Sequence, residues 1–248
     1  MFYGAVKKTN IKPMNNKNYL VIGGSKGIGL ETVRQLTQAG ANVWVAARHL
    51  TDELNDLGVS FQAIDVTQPF VLSNLPAVLH GVVYCPGSIN LKPFNRLSEQ
   101  DFMNDIQVNV LGAVRTLQQT FTALKAAKGS SVVLYSTVAV RMGMGFHASV
   151  AVAKSAVEGL AKSLAAEWVG YQIRVNAIAP SLTDTPLAAA LLSSAEKREA
   201  ASKRHPLGRI GTTTDIAGVS VFLLSDAASW LTGQILSVDG GMSSIKLL

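Results

Sequence analysis

The chain holds a single cysteine, Cys85, among its 248 residues. No intrachain disulfide can form, so the fold must stand on its core, and a reducing compartment suits it. Charge is scarce, at 15% of residues, and aromatics are scarcer, at 6%. The 22 Lys and Arg outnumber the 16 Asp and Glu, for a net charge of +6. These cations are scattered, without a stripe and without interleaved aromatics, so nucleic acid is not an expected partner; an anionic small molecule is. No apolar run approaches the roughly 20 residues that cross a bilayer. Residues 1–18, MFYGAVKKTNIKPMNNKN, lack the apolar centre of a secretory signal. A cytoplasmic protein with no membrane partner and no metal site is the expectation. There is also no internal repeat, low-complexity tract or long linker.

What is present is apolar mass. Hydrophobic residues make up 48% of the chain and the mean hydropathy is +0.26. That suffices for one large core, with apolar surface left for contacts between copies. Residues 1–17 read as an irregular arm, and 18–248 as a single domain. Strand-like runs fall at 19–23, 42–47, 59–64, 80–85, 131–136, 173–179 and 234–239, with helix-period segments between them. In 98–125, Ser98 with Asp101 three residues on resembles a capping box. In 151–168, positions 153, 157, 160, 164 and 168 share one helical face. Strands this apolar are buried on both faces. The class is therefore α/β: a doubly wound parallel sheet of about seven strands with helices on both sides. Residues 186–205 break the rhythm as an extra helical insert, placed to act as a lid over a site.

The first strand runs into GGSKGIG, in which Gly23, Gly27 and Gly29 have the spacing G-x-x-x-G-x-G around Ser25, Lys26 and Ile28. Glycines at a strand-to-helix turn let the backbone approach a pyrophosphate, and the helix N-terminus offers N–H donors. About 20 residues on, where a carboxylate would meet a free ribose 2′-hydroxyl, the chain has Ala47 and Arg48. Two cations, Lys26 and Arg48, suit a 2′-phosphate, so NADP is favoured over NAD.

With these motifs the chain resembles the short-chain dehydrogenase/reductase family from about residue 18 to 245. The resemblance implies a Rossmann fold, a small-molecule substrate, and homo-dimers or homo-tetramers built on the long helices and the last strand. It also implies roles for particular residues. Asp65 and Val66 in AIDV match the segment that meets the adenine ring, and Asn109 in VNV matches the family's helix asparagine. IRVNAIAPSLTDTPL resembles the family segment that touches the nicotinamide amide and phosphates, here with Pro180, Thr183 and Thr185. Its glycine is replaced by Ser181. Lys154 matches the lysine that binds the ribose hydroxyls.

The departures are as informative. The family NNAG is here YCPG, 84–87, with only Gly87 retained, and Tyr84 and Pro86 are expected to reshape that turn. The catalytic hydroxyl falls on Thr137, with Ser136 one residue away as the alternative. The tyrosine that gives the proton in the family is replaced by Val150, four residues before Lys154. Such a donor is worth roughly 10²- to 10⁴-fold. The open replacements are His147, Tyr84, Tyr135, and water or Lys154 itself. The last would suit a conjugated C=C better than a ketone. The segment SVAVAKSAVEGLAKSLAAEW resembles family members that reduce enoyl or dienoyl thioesters, although the upstream tyrosine of the dienoyl reductases is Ala139 here. Two functions remain: an NADP(H)-dependent oxidoreductase with a non-standard proton donor, or an NADP(H)-binding protein with little turnover.

Overall fold

The computed structural model describes residues 13–246. Residues 1–12 of the expected arm lie outside the described residues. Residues 13–17 hold no helix or strand, and within them Met14 is buried, its N–H donating to the Ala39 carbonyl at 2.7 Å. In chain order the elements are β1 (Asn18–Ile22), α1 (Gly27–Gln38), β2 (Asn42–Ala47), α2 (Asp52–Asp56), β3 (Ser60–Ala63) and β4 (Gly81–Tyr84). Next come α3 (Glu99–Ile106), α4 (Gly112–Ala126), β5 (Ser131–Tyr135), α5 (Ala139–Met142) and α6 (Ala148–Trp168). The chain ends with β6 (Arg174–Pro180), α7 (Ala195–Lys203), α8 (Thr213–Leu224) and β7 (Ile235–Val238).

The seven strands form one parallel sheet in the order β3-β2-β1-β4-β5-β6-β7. Each expected strand is present to within a residue at either end. The strands are uniformly apolar, but successive side chains still point to opposite faces. Val82, Val132 and Leu134 join Leu117, Val157 and Trp168 of α4 and α6 in one core. Val83, Val133 and Tyr135 join Val33, Leu36, Ile216 and Val221 of α1 and α8 in the other. Burial on both faces is the reason these strands do not alternate with polar residues.

The helical segment 98–125 is not uniform. Ser98 does cap α3: its Oγ accepts from the Asp101 N–H, and the Asp101 carboxylate accepts from the Ser98 N–H at 2.9 Å. One continuous helix does not follow. A π-turn at Gln107–Leu111 separates α3 from α4 and carries Asn109 at its centre. Widening a helix by one residue per turn frees backbone groups, and such turns gather at functional sites. Tyr84 answers one of them: its hydroxyl donates to the Val108 carbonyl at 2.5 Å. Gly112 leaves the room the phenol occupies, since a Cβ there would overlap the Tyr84 hydroxyl.

The turn after β4 begins from a fully paired strand. β4 stays in register with β1 and β5 through Tyr84, and the Cys85 N–H still donates to the Ile22 carbonyl at 3.0 Å. Pro86 packs beside Gly23.

Gly112→Ala is expected to destabilise the protein by about 1–3 kcal/mol through overpacking against Tyr84. Urea unfolding checks it, and Gly112→Ala combined with Tyr84→Phe should recover part of the loss.

Candidate active site

Strand order reverses between β1 and β4, so the connections leaving these strands run to opposite sides and open a crevice at their carboxyl ends. Two clefts meet there. The first, of about 740 Å³, is lined by the glycine loop from Gly23 to Gly29, by Ala47 and Arg48 at the end of β2, and by Asp65 and Val66. The second, of about 450 Å³ and mostly apolar, holds Ser136, Thr137, His147, Val150, Lys154, Pro180 and Thr183. Ile28, Cys85, Gly87, Tyr135, Thr185 and Leu187 line both.

The glycine loop is shaped by close approach. Gly23 and Gly27 have φ of +75° and +57°, a region that costs a side-chain-bearing residue about 1–2 kcal/mol. A Cβ on Gly29 would collide with the Gly23 carbonyl oxygen. The loop therefore packs back against the start of α1, whose first N–H groups have no partner within the helix. Lys26 and Arg48 are exposed on the same cleft. The Asp65 carboxylate accepts the Thr67 N–H and hydroxyl at 2.9 and 2.8 Å. Those bonds, with a smaller effect from Arg48, hold it below the usual carboxylate range. A dinucleotide's pyrophosphate fits this cradle: glycines leave its floor bare, a helix N-terminus faces it, and cations flank it. Thr185 leans over the loop, with its Cβ 3.5 Å from where a Gly27 Cβ would stand.

In the second cleft Lys154 is buried at 7% exposure, and its Nζ donates to the Tyr135 carbonyl at 2.8 Å. Burial pushes its pKa down to about 8. Asn109 lines neither cleft. It sits one layer behind, donating to Ser88 Oγ at 2.9 Å and to the Asp105 carbonyl at 2.8 Å. A Cβ on Gly87 would lie 3.4 Å from both Asn109 Oδ1 and Lys154 Nζ, so this glycine is the thin wall between asparagine and lysine. Ser136 donates to Glu158 at 2.7 Å on α6, and its hydroxyl is thereby engaged. Thr137 is half-buried on the cavity wall, and its Oγ1 accepts the Ala139 N–H at 3.3 Å.

Neither tyrosine offers its phenol to the cavity. The Tyr84 hydroxyl is spent on the π-turn, and burial raises its pKa. The Tyr135 hydroxyl meets Ser220 on α8 at 2.5 Å, on the far face of the sheet, and burial raises it too. His147 is half-buried before α6, with Nδ1 2.6 Å from the Gly145 carbonyl.

Three cavity residues were missed as site residues. Cys85, pushed up to about 12 by burial, enters the sequence reading only through the disulfide count and its place in YCPG. Ser181 had been noticed only as a lost glycine. His205 lay at the end of the insert with no motif to mark it. The insert itself forms a short 3₁₀ helix at Pro186–Leu192, followed by α7. It packs Ala188, Leu192 and Ala201 in a small core of its own, and Leu187, Leu191, Lys197 and Arg204 face the cavity.

Comparison with known proteins accords with this geometry. The family described as enoyl-(acyl carrier protein) reductase matches residues 23–243. A tropinone reductase homolog of Arabidopsis thaliana is 34% identical over 93% of this chain and 94% of its own. A short-chain type dehydrogenase/reductase from Mycobacterium ulcerans superposes with a TM-score of 0.84 at 32% identity, over 93% of this chain and 91% of that one. A putative 2-deoxy-D-gluconate 3-dehydrogenase from Agrobacterium tumefaciens, solved with bound NADP, gives 0.84 at 33% identity over 94% and 99%. These relatives define an oxidoreductase class built on a Rossmann-type sheet. The chain belongs to the short-chain dehydrogenase/reductase family.

Lys154 yields a pH prediction. Its folded pKa lies below its ordinary value of 10.5, so the fold disfavours the charged form. The penalty is complete below about pH 8 and is relieved as pH rises towards 10.5, where the unfolded chain still holds the proton that the folded one has shed. The shift corresponds to about 3 kcal/mol. Urea midpoints at several pH values should show this rise in the wild type, and Lys154→Met should remove it.

Proposed function

We propose that this protein is an NADP(H)-dependent oxidoreductase that reduces a conjugated C=C or a carbonyl with a non-standard proton donor. The observation that carries the reading is the meeting of a phosphate-suited cleft with an apolar cavity that keeps Thr137 and Lys154 but presents Val150. The nicotinamide cofactor would supply the hydride. Gly23 to Gly29 would receive its pyrophosphate, Asp65 and Val66 its adenine, and Lys26 and Arg48 a 2′-phosphate. Pro180, Thr183 and Thr185 would border its nicotinamide end. Lys154 would bind the ribose hydroxyls and hold positive charge beside the reacting carbon. Gly87 keeps the wall thin, so Asn109 would steady Lys154 from behind. Thr137 would hydrogen-bond the substrate oxygen. The apolar lining excludes water, which strengthens each of these contacts.

The segment 186–205 would serve as the lid. Its leucines face the cavity, and Lys197 and Arg204 at its rim suit an acidic or thioester substrate. Trp230, 98% exposed, supports a homo-dimer or homo-tetramer, and a cytoplasmic setting fits the lone thiol. Among the described residues no helix is long and apolar enough to cross a membrane. The reading of a cofactor-holding protein with little turnover draws on one observation, that among the described residues no phenol hydroxyl is free to face the cavity.

NADPH fluorescence followed by a panel of enones and ketones separates the two; binding without turnover of any member favours the second. Arg48→Asp should weaken NADPH binding at least tenfold more than NADH binding, and an equal loss for both would remove the NADP assignment. Val150→Tyr should create or raise carbonyl reduction, on the order of 10²-fold. An undetectable rate despite tight NADPH binding would mean that the pocket departs from the family beyond this one residue.

A further inference from the structure

Ser181 follows Pro180 directly at the carboxyl end of β6, and His205 closes the segment 186–205. The sequence separates them by 24 positions; the fold joins them. His205 Nε2 lies 2.9 Å from Ser181 Oγ, and His205 Nδ1 lies 2.8 Å from the Ala201 carbonyl oxygen. A carbonyl oxygen can only accept, so Nδ1 carries a proton. In the neutral ring Nε2 is then a lone pair, and the Ser181 hydroxyl donates to it. The ring is held from behind and is 3% exposed. This is a hydroxyl backed by an oriented imidazole, the arrangement that moves protons in acid–base catalysis.

The pair also stands between two spaces. Both residues line the apolar cavity that holds Thr137, Val150 and Lys154. Both also line a smaller cavity of about 190 Å³ behind it, bounded by Arg209, Asp215 and Asp239. Asp239 acts electrostatically on His205, and further charged groups line the two cavities. Arg204 lies on its own segment and Lys197 on α7, while Asp239 follows β7. Arg209 is paired to Asp215 of α8 at 2.6 Å. His147, the other histidine of the cavity, has its Nδ1 on Gly145 and is less buried.

We propose that Ser181 and His205 are the proton relay of this site. Ser181 meets the substrate oxygen, and His205 exchanges the proton with water through the smaller cavity. The relay rests on the oxidoreductase reading. In the reducing direction the substrate carbon gains a hydride with its electron pair from the nicotinamide, and the displaced π pair moves to the substrate oxygen. That oxygen takes the Ser181 proton while Ser181 takes the Nε2 proton of the His205 imidazolium. The neutral His205 then recovers a proton from water, so one NADPH and one proton are consumed per substrate reduced. Oxidation runs the same path backwards, with neutral His205 as the base.

The test uses the full chain with NADPH. Ser181→Ala and His205→Gln should each slow single-turnover hydride transfer 10²- to 10⁴-fold. NADPH affinity should stay within about twofold, and the pH dependence of the rate should flatten. Ser181→Thr, which keeps the hydroxyl, should retain most of the rate, and His147→Ala should cost far less than His205→Gln. In a Val150→Tyr background, where a phenol supplies the proton, Ser181→Ala should cost less than tenfold. A loss of rate equal in both backgrounds, a loss under threefold in the wild type, or abolition by His147→Ala would overturn the relay. Failure to bind or oxidise NADPH would instead overturn the oxidoreductase reading. The dyad is read without turnover from the ring nitrogens of His205 by NMR. The expected result is the Nδ1–H tautomer in the neutral ring and an Nε2 signal moved by Ser181→Ala. A ring in the other tautomer, or one whose Nε2 signal ignores Ser181→Ala, would sink the relay.

Discussion

All seven strands run the same way, and the chain winds outward twice from the middle of the sheet: β1 to β2 and β3 on one side, β4 to β7 on the other. Helices cannot cover the seam where the two windings part. The crevice at the ends of β1 and β4 is therefore forced by topology, and the other features of the site are placed by it. The glycine loop is the turn out of β1, YCPG is the turn out of β4, and Thr137, Pro180 and Ser181 are the residues where β5 and β6 run out. Only glycine fits where the loop folds back on itself, because the Gly23 carbonyl occupies the space of a Gly29 side chain.

The substitutions in YCPG, the π-turn and Gly112 form one linked unit. Tyr84 fills the core beneath the crevice and sends its hydroxyl to the Val108 carbonyl, which the widened turn leaves available. That turn holds Asn109 beside Asp105 and Ser88, one layer behind Gly87. Tyr84, one of the open candidates for the proton donor, here braces the π-turn. A buried carbonyl without a partner costs about 1–3 kcal/mol, so the phenol's bond there is not readily given up for catalysis.

Much of this was legible in the chain. Apolar runs without alternation announced a parallel sheet buried on both faces, and the strands lie within a residue of those runs. Ser98 and Asp101 announced a helix start, and the glycine spacing announced the turn out of β1. The break in 98–125 was not legible, because a π-turn keeps nearly the same apolar periodicity as the helix around it. The burial of Met14 was not legible, because it depends on the packing of distant core residues against it. Between Ser136 and Thr137 the spacing favoured the second, and the structure adds that Glu158 already engages the first.

The sequence by itself determined the class of sheet, the phosphate-suited loop, and the valine at position 150. These are local matters, set by residue type and spacing along a few neighbouring positions. Only the tertiary structure decided which polar groups face the cavity. It turned the hydroxyls of Tyr84 and Tyr135 away and put Asn109 behind a wall of glycine. It also brought Ser181 against His205, two residues that meet because the segment 186–205 folds back over the end of β6. Hydrogen bonds between side chains 24 positions apart leave no periodicity in a sequence; they exist only once the backbone has brought the partners within about 3 Å.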